Sequence, residues 1–258
     1  MESIRQAVER ARNRSAGPAE PGQNGSGAKI QETVLDGVHL QSKRIISQDI
    51  TDVRSRPFGM LRTQVLQSMD LKGWRTLAVT SPTPNCGKTV TALNLALSIA
   101  RQPERSVLLV DLDFRKPQVA ASLGLKCDGG VLSVLDGKMK LSDAIIHARV
   151  DNLQFMVLPT AATIASSELI SSRAMAAMLG VIRSEYRSQT IILDLPPILS
   201  GDDVIAILPQ IDCVLFVAAV GTTTVSQIKE CNKHLQSAEI ARIVLNKVPE
   251  TSANYHYY

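Results

Sequence analysis

Cysteine, long apolar runs and blocks of one charge are all in short supply in this chain, and each shortage closes off a class of function. The four cysteines, Cys86, Cys127, Cys213 and Cys231, lack the paired spacing of a zinc site. Three of them fall in or beside expected core elements, so they read as reduced, buried, cytosolic thiols. No apolar run reaches the ~20 residues that span a bilayer, so any membrane association is expected to run through a partner. No stretch of Lys and Arg forms a stripe, and the formal net charge is only +4 over 258 residues, which argues against a nucleic-acid partner. The opening Met1–Gln6 is polar, so no cleaved leader is expected. Tyrosine is scarce too: of four in the chain, only Tyr186 lies outside the last four residues.

What is present fits one large α/β domain with appendages, given 45% hydrophobic and 20% charged residues. Within residues 1–14, Ile4, Ala7, Val8 and Ala11 form one stripe of an amphipathic helix. Residues 15–28, rich in Gly, Pro and Ser, read as a flexible linker. A nucleotide-binding domain is expected over 29–248 and a polar tail over 249–258. Inside the domain a helix is expected at about 56–69, with Phe58, Leu61, Val65 and Leu66 inward. Strands are expected at 76–80, 106–111, 153–158, 190–194, 213–218 and 241–245. Helices are expected at about 90–101, 141–148, 172–187, 203–208 and 223–236. Alternating strands and helices predict a doubly wound, mostly parallel sheet.

The run Pro82–Thr89, Pro-Thr-Pro-Asn-Cys-Gly-Lys-Thr, is a phosphate-binding loop in the right context, after a buried strand and before a helix. Backbone N–H groups of such a loop face phosphate oxygens, and the helix dipole favours negative charge there. This assigns nucleotide contacts to Pro84, Asn85, Cys86, Gly87, Lys88, Thr89 and Val90. Lys88 supplies a point charge, and Thr89 a hard oxygen ligand for Mg²⁺. The loop is a deviant Walker A: Pro82 stands where the first glycine is usual, and Asn85 where a second is common. Asn tolerates left-handed backbone, so the turn can survive. Cys86 reads either as packing or as an oxidation-sensitive thiol.

Two more strands end in acids at the edge where open α/β sheets bind ligands. One reads Leu108-Leu-Val-Asp111-Leu-Asp113-Phe-Arg115-Lys-Pro117, the other Ile191-Ile-Leu-Asp194-Leu-Pro-Pro197. Three carboxylates converging on a phosphate loop are what Mg²⁺ and a reacting hydroxyl require. Arg115 and Lys116 fit phosphates, a neighbouring subunit, or simply a solvated turn.

On these features the chain from Phe58 onward resembles the bacterial tyrosine autokinases, or BY-kinases. The similarity is carried by the Cys-Gly-Lys-Thr loop, the Asp111-x-Asp113-x-Arg115 motif, the Asp194-x-Pro-Pro motif, the helix stretch Phe58–Thr63, and the terminal cluster Tyr255, Tyr257 and Tyr258. The resemblance implies a P-loop NTPase fold and an ATP- and Mg²⁺-dependent kinase that phosphorylates those three tyrosines in trans. It implies that Lys88 holds the outer phosphates and that Thr89, Asp113 and Asp194 serve the metal. Asp111 would receive the tyrosine proton, and Asn246 would contact adenine. Further implications are homo-oligomers, a role in capsule or exopolysaccharide synthesis and export, and a cytoplasmic location beneath the plasma membrane. Recruitment there would be by a membrane activator, the polysaccharide co-polymerase.

The chain departs from the family at Leu195, where Thr or Ser is usual. The oligomer motif Glu-x-x-Arg-x-x-Arg is met by Glu9 and Arg12 but not by Ser15. Two other functions use the same pocket. A dimerising ATPase switch of the partition or division-site type usually carries a lysine where Thr83 stands, and lacks a tyrosine tail. A kinase-degenerate regulator would act through nucleotide state alone.

Overall fold

A computed structural model of the chain describes residues 31–161 and 167–249. The amphipathic segment 1–14, the linker 15–28 and tail residues 250–258, with all three terminal tyrosines, lie outside the described residues. In chain order the elements are β1 (Gln31–Val34), α1 (Gly37–Ser42), α2 (Arg56–Lys72), β2 (Thr76–Thr80), α3 (Lys88–Ala100), β3 (Ser106–Asp111), α4 (Val119–Leu123), α5 (Val131–Leu135), α6 (Leu141–Ala144), β4 (Ile146–Val150), β5 (Leu153–Leu158), α7 (Ser167–Ile170), α8 (Arg173–Glu185), β6 (Gln189–Asp194), α9 (Asp203–Ile207), β7 (Cys213–Ala219), α10 (Val225–His234) and β8 (Ile240–Asn246).

The strands form one sheet in the order β1-β4-β5-β3-β6-β2-β7-β8. Every neighbouring pair is parallel except β4 with β5. The period-2 alternation of apolar residues splits the core into two layers. On one face Leu77, Val79, Val107, Leu109, Ile192, Leu215 and Val217 pack with Leu40 of α1, Val65, Leu66 and Met69 of α2, and Leu93 and Leu97 of α3. On the other, Ala78, Leu108, Val110, Ile191, Leu193, Val214 and Phe216 pack with Met175, Met178, Leu179 and Ile182 of α8, Ile207 of α9 and Cys231 of α10. Each such Leu or Ile contributes roughly 1.5–3 kcal/mol by leaving water. This is the doubly wound α/β fold expected from the alternation of elements. No helix among the described residues is long and apolar enough to cross a membrane.

Helix ends follow local chemistry. Gly73 closes α2 in the left-handed region (φ 67°), and the N–H of Trp74 reaches back to the Met69 carbonyl. Thr224 opens α10 with a capping box: its hydroxyl accepts from Gln227 N–H, and the Gln227 side chain accepts from Thr224 N–H.

The expected helix 141–148 is corrected. Only Leu141–Ala144 is helical, and Ile146–Val150 is a strand antiparallel to β5. Ile146, Ala148 and Val150 are buried while His147 and Arg149 are exposed, a two-residue period that no helix can place.

Candidate active site

β3, β6 and β2 are adjacent at the centre of the sheet, so their carboxyl ends open onto one crevice. Asp111 and Asp194 are register partners across β3 and β6, and Val79, next to the last residue of β2, pairs with Asp194 on the other side. The loop after β6 is strapped to the phosphate loop. Thr80 Oγ1 donates to the Pro196 carbonyl at 2.7 Å, Ile198 N to Ser81 O at 2.8 Å and Leu199 N to Pro82 O at 3.2 Å.

Asn85 (φ 65°) and Gly87 (φ 90°) both take left-handed backbone to turn the loop into α3. Asn85 thus does what a glycine would do. Gly87 is required for a further reason: a Cβ there would lie 2.2 Å from Asn246 Nδ2. That amide runs beneath the loop, donating to the Cys86 carbonyl at 2.9 Å, while Asn246 Oδ1 accepts from Lys247 N at 2.8 Å. Cys86 is buried under the loop, its Sγ 3.6 Å from both Thr83 Oγ1 and Thr223 Oγ1.

Lys88 Nζ lies 2.8 Å from Asp113 Oδ2 and 3.3 Å from Asp194 Oδ1. Thr89 Oγ1 donates to Asp194 Oδ2 at 2.6 Å. Asp111 stands behind this cluster with no exposure. Its Oδ1 accepts from Asp113 N, and its Oδ2 from Gln118 N and Val119 N, at 3.0–3.2 Å. Thr160 Oγ1 fixes the Asp111 carbonyl at 2.7 Å.

One lysine faces three aspartates in a water-poor place. Burial, with the Asp194 charge next, pushes the Asp111 carboxyl up to about 8. Asp194 is also pushed up, first by burial and then by Asp113, against the pull of Lys88 and Thr89. At Lys88 burial works against the charge, but Asp194 and Asp113 outweigh it and raise its pKa.

The cavity in front of this cluster has a volume of about 310 Å³. Pro84, Asn85, Gly87, Lys88, Thr89, Val90 and Asp113 line it; Cys86, Asp111, Asp194 and Asn246 stand behind its walls. Gln118, Ser122 and Ser200 also line it, and no motif had pointed to them, since lone polar residues in loops carry no sequence pattern. Arg115 is on the rim. It pairs with Asp203 at 2.9 Å and donates to the Ser200 carbonyl at 2.8 Å, tying the β3 loop to the β6 loop.

Thr89 Oγ1 and the carboxylates of Asp113 and Asp194 are hard oxygen donors, the kind a divalent cation takes. No cage of three acidic or soft ligands exists among the described residues. Mg²⁺ wants few protein ligands, with the rest from phosphate and water, so the donor set fits it.

Cys86, Cys213 and Cys231 are buried and Cys127 half-buried, all free. Burial pushes the Cys213 thiol up to about 12 and the Cys231 thiol up to about 11.

The family model described as "AAA domain" matches residues 75–242. The tyrosine-protein kinase YwqD of Bacillus subtilis is 27% identical over 227 residues, which cover 86% of this chain and 93% of YwqD. EpsB of Ralstonia nicotianae is 29% identical over 224 residues, 86% of this chain. The chain spans only 29% of the length of that relative. Among solved structures, the VpsO kinase domain superposes with a TM-score of 0.67 at 28% identity, over 76% of this chain and 97% of that one. The resemblance to bacterial tyrosine kinases is therefore borne out, and the fold is that of P-loop nucleotide-binding proteins.

Proposed function

We propose that this chain, which belongs to the AAA domain family, is an ATP-dependent protein-tyrosine kinase. It moves the terminal phosphoryl group of ATP onto Tyr255, Tyr257 and Tyr258 of a second copy of itself. The observation that carries the reading is the charge cluster of Lys88, Thr89, Asp113 and Asp194 facing a cavity of about 310 Å³.

In this reading the loop N–H groups from Pro84 to Val90 and the Lys88 ammonium bind the phosphates. Mg²⁺ held by Thr89, Asp113 and Asp194 would supply neutralising charge at the transferring group. Asn246, beneath the loop, is assigned to the adenine side. The tyrosine hydroxyl attacks the terminal phosphorus as the bond to the ADP oxygen breaks, and its proton passes to Asp111. Asp111 has no exposure, so the segment from Asp113 to Val119 must shift for that transfer. The loose transition state makes early proton removal unnecessary, so positioning and charge outweigh basicity.

The cellular reading follows from the same resemblance: regulation of capsule or exopolysaccharide synthesis and export. It places the chain in the cytoplasm under the plasma membrane, as a homo-oligomer recruited by a polysaccharide co-polymerase.

Purified protein incubated with ATP and Mg²⁺ and probed for phosphotyrosine tests the chemistry. Modified peptides from Tyr255 onward are expected by mass spectrometry. Lys88→Met should lose at least a hundredfold in rate and Asp111→Asn roughly tenfold, since electrostatic positioning is the larger factor. Nucleotide hydrolysis with no phosphotyrosine would instead mean an ATPase switch.

A further inference from the structure

Lys88 and Arg101 stand thirteen residues apart along α3 and its C-cap, about 20 Å at the helical rise. At that far end a second cavity, of about 720 Å³, opens between the C-terminus of α3, the start of α2 and the loop before it. Nothing in the nucleotide site uses it.

The loop wall is built from within the fold. Asn94 Oδ1 accepts from Ile46 N at 2.8 Å and Ser47 N at 3.0 Å, and Asn94 Nδ2 donates to the Arg44 carbonyl at 2.9 Å. This fixes Ser47 in the cavity wall at 2% exposure, yet its hydroxyl has no hydrogen-bond partner among the described residues. Both amide atoms of Gln48 and Nε of Arg62 are buried and equally unpartnered. Buried polar atoms are rarely left so, and several beside one cavity mark a wall whose hydrogen bonding is incomplete.

The charge says what kind of ligand the cavity suits. Arg56, Arg62 and Arg101 line the cavity. None has a carboxylate at ion-pair distance among the described residues. Arg62 is held by its Nη1 on the Ser98 carbonyl at 3.1 Å. Arg101 has its pKa lowered, first by burial and then by the Arg62 charge, with Asp49 the one acid acting on it. Asp52, the next acid along the loop, is taken by Arg54. α2 also begins here: its N-cap Ser55 makes no side-chain cap bond, and its first turn has no acidic residue. Three guanidinium groups against the one carboxylate of Asp49 leave two positive charges beside a helix N-terminus.

We propose that this cavity is a second anion site, taking a phosphate-bearing small molecule with two or more negative charges. Guanidinium forks match phosphate oxygens bidentately. The site is independent of the kinase reading and stands or falls separately.

Calorimetric titration of the full chain with inorganic pyrophosphate tests it, on a Lys88→Met background that weakens the phosphate loop. One-to-one binding is expected, weakening with salt. It should be at least tenfold weaker when Arg62→Gln and Arg101→Gln are added together. Absence of saturable heat overturns the proposal, as does unchanged affinity in the folded double variant. Acetate competing as well as pyrophosphate overturns the phosphate class. If the double variant does not fold, Arg56→Gln at its exposed position replaces it. Pyrophosphate protection of Arg56, Arg62 and Arg101 from phenylglyoxal, read by mass spectrometry, is then the second measurement; lack of protection overturns the proposal.

Discussion

The turn into α3 depends on two residues that solve the same backbone problem differently. Asn85 and Gly87 both sit at positive φ, but only Gly87 is also pressed against a neighbour, Asn246 Nδ2. Gly87→Ala should therefore cost about 1–3 kcal/mol from left-handed strain and also push the Asn246 amide off the Cys86 carbonyl. Asn85→Gly should leave stability nearly unchanged, since the side chain is exposed and the conformation is native to glycine. Urea unfolding of both variants measures this; equal losses would refute both the strain and the Asn246 contact assigned to Gly87. Leu195 is explained at the same scale. It is fully buried in the core layer with Leu193 and Ile198, so its departure from Thr or Ser is a packing residue and not a missing ligand.

The amino ends of β2 and β7 meet the carboxyl end of α8 at Asp212, opposite the candidate site. Its Oδ2 accepts from Arg75 N and Thr76 N, each at 2.8 Å, and Oδ1 pairs with Arg183 of α8, so one carboxylate joins β2, β7 and α8. Burial works to raise its pKa, but these hydrogen bonds prevail and hold it below the usual carboxylate range. A depressed folded pKa contributes stability that is full above the unfolded value of about 3.9 and lost as pH falls through the folded one. The stability gap between wild type and Asp212→Asn should thus be flat from pH 7 to about 5 and close below about 4. A gap that widens on acidification would refute the assignment. The sequence was most legible where physics is local. The strand expected at 106–111 is β3 residue for residue, because Val107 to Val110 is buried on both faces and an acid ends it. β1 and β4 were not legible. β1 is a four-residue edge strand with none of its residues buried, and β4 hides behind a real helical turn at Leu141–Ala144. The site divides the same way: Lys88, Thr89, Asp113 and Asp194 announce themselves by motif and do converge. Gln118 and Ser122 reach the cavity only because Asp111 gathers their loop by accepting from Gln118 N and Val119 N, a tertiary event with no sequence period.

For the molecule as a whole, the kinase reading makes the chain its own substrate, which ties chemistry to assembly. A tail reaching a neighbour's cavity is drawn to the rim residues Arg115 and Lys116, both exposed there. Behind them lie the aspartates and, in this reading, the phosphates of the nucleotide, and each phosphate added to Tyr255, Tyr257 or Tyr258 brings roughly −1.5 to −2 charges. Three such groups within four residues repel one another and the aspartates, while the attraction of Lys116, and of Arg115 already paired with Asp203, is modest and screened by salt. The modified tail should leave, and the assembly should loosen toward monomers. Sedimentation of wild type and Lys88→Met, both with Mg²⁺ and ATP, reads this directly. Lys88→Met should remain assembled while wild type shifts to slower species as phosphotyrosine accumulates. Changing all three tyrosines to Phe should hold the wild-type active site in the assembled form, separating loss of charge from loss of catalysis. Equal sedimentation of all three proteins would break the link between tail phosphorylation and assembly.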